Sequence, residues 1–418
     1  MTSKNSFKPN YRWTVLGIGV AAQASFSVAF SGIPITGVLM RTDYHFTTSQ
    51  LGLVLGCMAL GVAVSEILWG LLTDRFGDRR ILLTGLLSTG LMLAWMSFFV
   101  APTKQFIPTV LQLGISLTLV GFLSGSVNSS SGRAVMTWFT DKQRGFAMSI
   151  RQTAIPAGGA IGAVLLPWLA ANFGFRAVYG VLAFFCMASA LATWRWIHTA
   201  ETKKSSISAS TIEMLPSPLV RWDVWRLALA SGLLTVPQIA VLTFGAIFLH
   251  DAKQVSLAAI SITIMIMQIG GAVLRIWSGR YTDKYGNRRK MIKIIGSVAG
   301  LLGISIMLLS DRSATLITIL ICLCGLFANA WHGIAYTEIA SMSGASRAGT
   351  ALGMEGTTIF TTAFITPFLI PFLLIGSSWS SVWGAVALCS LLAVPLSPGK
   401  VYPASRKVEI IDPKKVLD

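Results

Sequence analysis

Twelve apolar runs follow one another along the chain, and at about 20 residues or more each is long enough to cross the hydrocarbon of a bilayer as a helix. They lie near 13–40, 49–73, 81–101, 109–138, 145–171, 177–197, 225–250, 256–280, 291–309, 314–343, 349–374 and 379–397. Hydrophobic residues are 54% of the 418 and charged residues 12%, far more apolar surface than one water-soluble core could hide, so lipid is the remaining solvent. Six runs stand on each side of a polar stretch, Thr199 to Pro218, that contains the breaker P-S-P. The expected fold is an all-α membrane protein of twelve transmembrane helices. Its expected parts are a six-helix bundle over 1–198, a cytoplasmic linker over 199–224, a second six-helix bundle over 225–397 and a cytoplasmic tail over 398–418.

The two halves are copies. W-G-L-L-T-D-R-F-G-D-R-R, Trp69 to Arg80, returns as G-R-Y-T-D-K-Y-G-N-R-R-K, Gly279 to Lys290. Gly70 matches Gly279, Asp74 matches Asp283, Gly77 matches Gly286 and Arg79 matches Arg288, each 209 positions on. Each copy is a short polar hairpin between two apolar helices. Gly77 and Gly286 suit the positive φ of a tight reversal, and Gly70 and Gly279 suit close approach of helix backbones.

The pattern resembles the loop between the second and third helices of the major facilitator superfamily, G-x-x-x-D-R-x-G-R-R, with a weaker echo between the eighth and ninth. The resemblance implies two pseudo-symmetric bundles and transport by alternating access. It also implies that Asp74, with Arg75, Gly77 and Arg79, docks on the N-terminal end of the eleventh helix, where the helix dipole favours an acid. Asp283, Lys284, Gly286 and Arg288 would mirror that arrangement. Asp78 departs from the pattern, standing where the family usually has a base.

Other classes of function fall away. The formal charge of +17 is spread among the spans and forms no single patch, which speaks against nucleic acid. The cysteines (Cys57, Cys186, Cys322, Cys324 and Cys389) lie inside apolar runs, so neither a disulfide framework nor a metal site is expected. No cofactor is expected, and no G-x-x-x-x-G-K-[ST], H-E-x-x-H or G-x-S-x-G motif suggests an ATPase or an enzyme. The first run is too long for a signal-peptide core and reads as a helix that stays. Lysine and arginine crowd the loops on one side, with Arg41, Lys104, Arg176, Lys253 and Arg312 on the other, so both termini and both repeated loops are expected in the cytoplasm of a multi-pass protein of a bacterial inner membrane.

Six ionisable residues fall within the spans, where lipid alone would make them costly: Glu66, Arg133, Arg151, Arg275, Glu338 and Glu355. The duplication relates Glu66 to Arg275, Arg133 to Glu338 and Arg151 to Glu355, always with inverted sign. A cytoplasmic gate of Arg133 with Glu355 and Arg151 with Glu338 is one expectation. Pairing within a half, Glu66 with Arg133 and Arg275 with Glu338, is the other. Nearer mid-span lie Gln23, Phe26, Asn128, Gln238, Gln268, Asn329, Trp331 and His332, a reasonable lining for a solute cavity. His332, Glu338 and Glu355 are the candidate proton carriers.

The run R-Q-T-A-I-P-A-G-G-A-I-G, Arg151 to Gly162, partly resembles the G-P-x-x-G-G motif of drug-exporting antiporters, but Ile155 precedes Pro156 and the glycines come one residue early. A tightly packed helix interface is the reading preferred for it. The chain is therefore expected to be a secondary transporter of a small organic solute, leaning to an organic anion or chelating metabolite and driven by protons. A drug or metabolite efflux antiporter and a non-transporting membrane sensor are the alternatives.

Overall fold

The computed structural model describes residues 10–198 and 216–399. The first half comprises α1 (Tyr11–Ile35, continued by Gly37–Asp43), α2 (Thr48–Phe76), α3 (Asp78–Phe99), α4 (Val110–Trp138), α5 (141–173) and α6 (175–196). The second comprises α7 (Trp222–Ala252), α8 (Leu257–Tyr285), α9 (Arg288–Leu308), α10 (Ala314–Ser343), α11 (Ala348–Gly376) and α12 (Trp379–Leu396). No strand occurs among the described residues. The chain is a multi-pass membrane protein of the expected all-α kind. Most of the expected linker, through residue 215, and the tail from residue 400 lie outside the described residues.

Local signals set the helix ends. Thr47 with Gln50 and Thr109 with Gln112 form capping boxes that start α2 and α4. α5 runs into α6 through the single residue Gly174, whose φ of +74° only glycine adopts freely. Pro34 precedes the break in α1, and Pro237 precedes two π-helical turns in α7. α4 is interrupted at Gly125 and α10 over 329–331. These breaks free backbone groups at mid-helix, which must be satisfied inside the protein.

Three apolar cores organise the bundle. One belongs mainly to the first half, around Leu86, Leu117 and Tyr179, and one to the second, around Phe248, Ile321 and Trp383. The third joins both halves: Leu16, Val135 and Met148 pack with Trp331, Ile334, Leu352 and Met354. It lies toward the face that carries the two repeated loops, called here the repeat face. The hydrogen bonds that cross between the halves among the described residues lie between that face and the level of the Thr357 to Ala63 bond. The protein is closed at the repeat face.

Candidate gate and solute site

The closure is built by the duplicated loops. Asp74, at the end of α2, accepts hydrogen bonds from the Gly349 amide (2.8 Å) and the Thr350 amide (2.7 Å) at the start of α11, and from the Thr350 hydroxyl (2.6 Å). Asp283, at the end of α8, accepts from the Gly145 amide (2.9 Å) and the Phe146 amide (2.8 Å) at the start of α5. Asp74 thus satisfies two of the amides that a helix start leaves without partners, while Asp283 meets amides one turn further into α5; both acids lie near the positive end of a helix dipole. The glycines make the approach possible: a Cβ on Gly70 would collide with the Gly349 carbonyl, and one on Gly279 with the Gly145 carbonyl. Gly77 (φ +90°) and Gly286 (φ +65°) turn the chain after each acid.

The basic residues of the two loops differ in use. Arg288 bonds Asp283 at 3.0 Å and the Asp141 carbonyl at 2.9 Å, tying both ends of the second lock. In the first lock Arg79 instead donates to the Trp194 carbonyl at the end of α6, while Arg75 is exposed and lies over the Phe76 ring. The cation beside Asp74 comes from elsewhere. Arg133 of α4 stands 3.2 Å from its carboxylate.

That pairing corrects the expected gate. Arg133 meets Asp74 rather than Glu355 or Glu66, because it lies near the repeat-face end of α4, level with the end of α2. Glu338 meets Arg289 of α9 at 2.5 Å, not Arg151 or Arg275, since both stand near the repeat-face ends of adjacent helices. The other four charges lie a turn or more deeper and are buried, with Glu66, Arg151 and Glu355 at 0% exposure and Arg275 at 2%.

Arg151 is held by neutral oxygens of its own half: Ser131 Oγ (2.8 Å), Gln23 Oε1 (2.9 Å), and the carbonyl (2.6 Å) and Oδ1 (2.9 Å) of Asn128. Arg275 donates to the Asn329 carbonyl (2.8 Å), exposed by the break in α10, and to the Gln152 carbonyl of the other half (2.6 Å), with His332 Nδ1 at 3.4 Å. Neither guanidinium is within ion-pair distance of a carboxylate among the described residues. The acids are equally unpaired. Glu355 takes one bond from Ser231 Oγ (2.8 Å), Glu66 takes a long one from Asn128 Nδ2 (3.5 Å), and the second oxygen of each has no partner.

The remaining mid-span candidates divide in two. Gln23, Asn128, Asn329 and His332 join the two arginines directly, and Gln238 is bound to Asn329 Oδ1 at 2.9 Å. Trp331 stacks on His332 with ring centres 3.8 Å apart and leaves its indole N–H without a partner. Phe26 packs instead with Phe30 and with Phe360 of α11, an aromatic contact between the halves. Gln268 stays on α8 with its buried Oε1 unbonded. Sequence reasoning missed Tyr336, whose hydroxyl meets Asn128 at 3.3 Å, and also Ser131, Ser231 and Gln152. Tyr336 falls one helical turn after His332, a spacing that could have found it.

The arrangement is a buried polar layer with two bases, two acids and several unbonded amide and indole groups, beneath an aromatic contact and above two closed locks. The sequence profile of the Major Facilitator Superfamily matches residues 18–361. The chain is 28% identical over 392 residues to an uncharacterized MFS-type transporter of Mycobacterium tuberculosis, covering 94% of this chain and 86% of that one. It is 28% identical over 181 residues to the probable sulfoacetate transporter SauU of Cupriavidus necator, covering 43% of this chain and 40% of that one. The structure of the proton:xylose symporter XylE superposes with a TM-score of 0.71 over 93% of this chain and 95% of that chain at 12% identity, a likeness of fold.

Proposed function

The chain belongs to the major facilitator superfamily, and from that premise we propose that this transporter carries a small organic anion together with protons across a bacterial inner membrane. One observation carries the choice of an anion: Arg151 and Arg275 are buried in the central layer with only neutral acceptors around them. A guanidinium is suited to forked recognition of carboxylate, sulfonate or phosphate groups. Sulfoacetate, the solute in the name of one relative, is an anion of this kind.

The proton side of the proposal rests on Glu66 and Glu355. An ionised carboxylate buried without a cation is costly, so a change in access would change the protonation of these two groups first. Glu338, paired with Arg289 near the repeat face, is the weaker candidate. The two bundles, 1–198 and 225–397, would rock about the central layer. The excess of lysine and arginine in the loops of one side supports a cytoplasmic repeat face and cytoplasmic termini, and on that reading the present state is closed to the inside.

The test is uptake into proteoliposomes under an imposed pH gradient, with sulfoacetate first and simple di- and tricarboxylates next. Accumulation of an anion with proton movement, lost in Glu355→Gln, is the expected result. Transport confined to lipophilic cations would transfer the reading to efflux, and binding without any flux would transfer it to a sensor.

A further inference from the structure

The helices contain seven internal prolines among the described residues: Pro34, Pro156, Pro167, Pro237, Pro367, Pro371 and Pro395. Each lacks the N–H that would bond the carbonyl four residues earlier. For Pro156 that carbonyl belongs to Gln152, and it alone among these freed carbonyls accepts a side-chain hydrogen bond. The donor is the Arg275 guanidinium, from the opposite half of the molecule, at 2.6 Å in a buried setting.

The same guanidinium holds the Asn329 carbonyl released by the break in α10. Arg275 therefore joins two interrupted helices, α5 of one half and α10 of the other. Its counterpart by duplication, Glu66, also reaches into the opposite half, where it lies against Gly356 of α11. Gly356 offers no side chain to it, and one of its oxygens is unbonded. The two crossings are thus alike in position and unlike in bonding.

We infer that Pro156 is a positioning residue for alternating access: by removing one helix hydrogen bond it presents the Gln152 carbonyl to Arg275, and this bond latches the halves while the repeat face is closed. A hydrogen bond from a charged donor in a buried site is among the stronger kinds. It must break when α5 and α8 separate, so it weights the equilibrium toward the closed state. On the reading proposed above, an anion bound at Arg275 would share that guanidinium with the latch. The latch itself needs no solute.

Hydrogen exchange of the full-length protein in lipid nanodiscs tests it, read at the Gly145, Phe146, Gly349 and Thr350 amides that both locks engage. Arg275→Gln is expected to speed their exchange about tenfold, the loss of one charged hydrogen bond. Pro156→Ala, whose new N–H competes for the Gln152 carbonyl, is expected to speed it in the same direction by roughly two- to fivefold. The double variant should exchange no faster than Arg275→Gln alone, because the proline acts only through that bond. Unchanged exchange in Arg275→Gln overturns the latch. A Pro156→Ala effect that persists in full without Arg275 overturns the role of the proline. Neither result would bear on whether the solute is an anion, which the uptake assay reads.

Discussion

Asp74 and Gly349 are 275 residues apart in sequence and 2.8 Å apart in space, and Asp283 stands in the same relation to Gly145 at 2.9 Å. Each carboxylate closes one side of the repeat face on a helix start of the other half. Two locks of one design, supplied reciprocally, follow from the duplication.

Replacing either acid with asparagine removes the charge but keeps one acceptor oxygen. Asp74→Asn should speed exchange at Gly349 and Thr350, and Asp283→Asn at Gly145 and Phe146, each reflecting a loss of about 1–2 kcal/mol of closure. Mass spectrometry of the corresponding peptides measures this. Equal exchange in the variants and the parent would mean that packing alone holds the face shut.

The partner of Arg133 can be identified by coupling. A double-mutant cycle of Arg133→Gln with Asp74→Asn should show about 1 kcal/mol of interaction, whereas Arg133→Gln with Glu355→Gln should be additive to within about 0.5 kcal/mol. The readout is the same amide exchange. Strong coupling to Glu355 would restore the gate first read from the sequence.

Close backbone approach at Gly70 and Gly279 predicts a steric result. Gly70→Leu and Gly279→Leu should each hold the repeat face open, since backbone carbonyls of the opposite half occupy the space a side chain needs. Thiol labelling of a cysteine placed at Thr350, which is 3% exposed, should rise from slight to nearly complete in Gly70→Leu. Labelling as slow as in the parent background would contradict the prediction.

The central acids predict a separation of exchange from accumulation. If Glu66 and Glu355 carry the coupling protons, the variant with both changed to glutamine should still exchange solute across the membrane. It should no longer concentrate solute when the proton gradient is imposed. Accumulation at the parent rate in the double variant would remove these residues from coupling.

Much of the architecture was legible in the sequence because lipid imposes it. Only long apolar helices satisfy their own backbones in a bilayer, so run length and count gave twelve spans with ends near those observed. The repeated glycines and acids were legible for a related reason: a positive φ or a backbone crossing tolerates few residue types. The partners of the buried charges were not. Arg133 and Glu338 were placed near the right ends of the right helices but given the wrong partners, because a helix shifts a side chain by 1.5 Å per residue and an ion pair needs contact within about 4 Å.

The sequence by itself therefore determined the solvent, the helix count, the duplication and the pair of hairpins that close one face. Tertiary structure alone decided that Asp74 and Arg133 act together, that Arg151 and Arg275 meet neutral oxygens rather than acids, and that the carbonyl freed by Pro156 is taken up by the other half. Helix periodicity says which side chains share a stripe. Which stripe meets which across two bundles depends on the rotation and depth of packed helices, and these are set by the whole molecule.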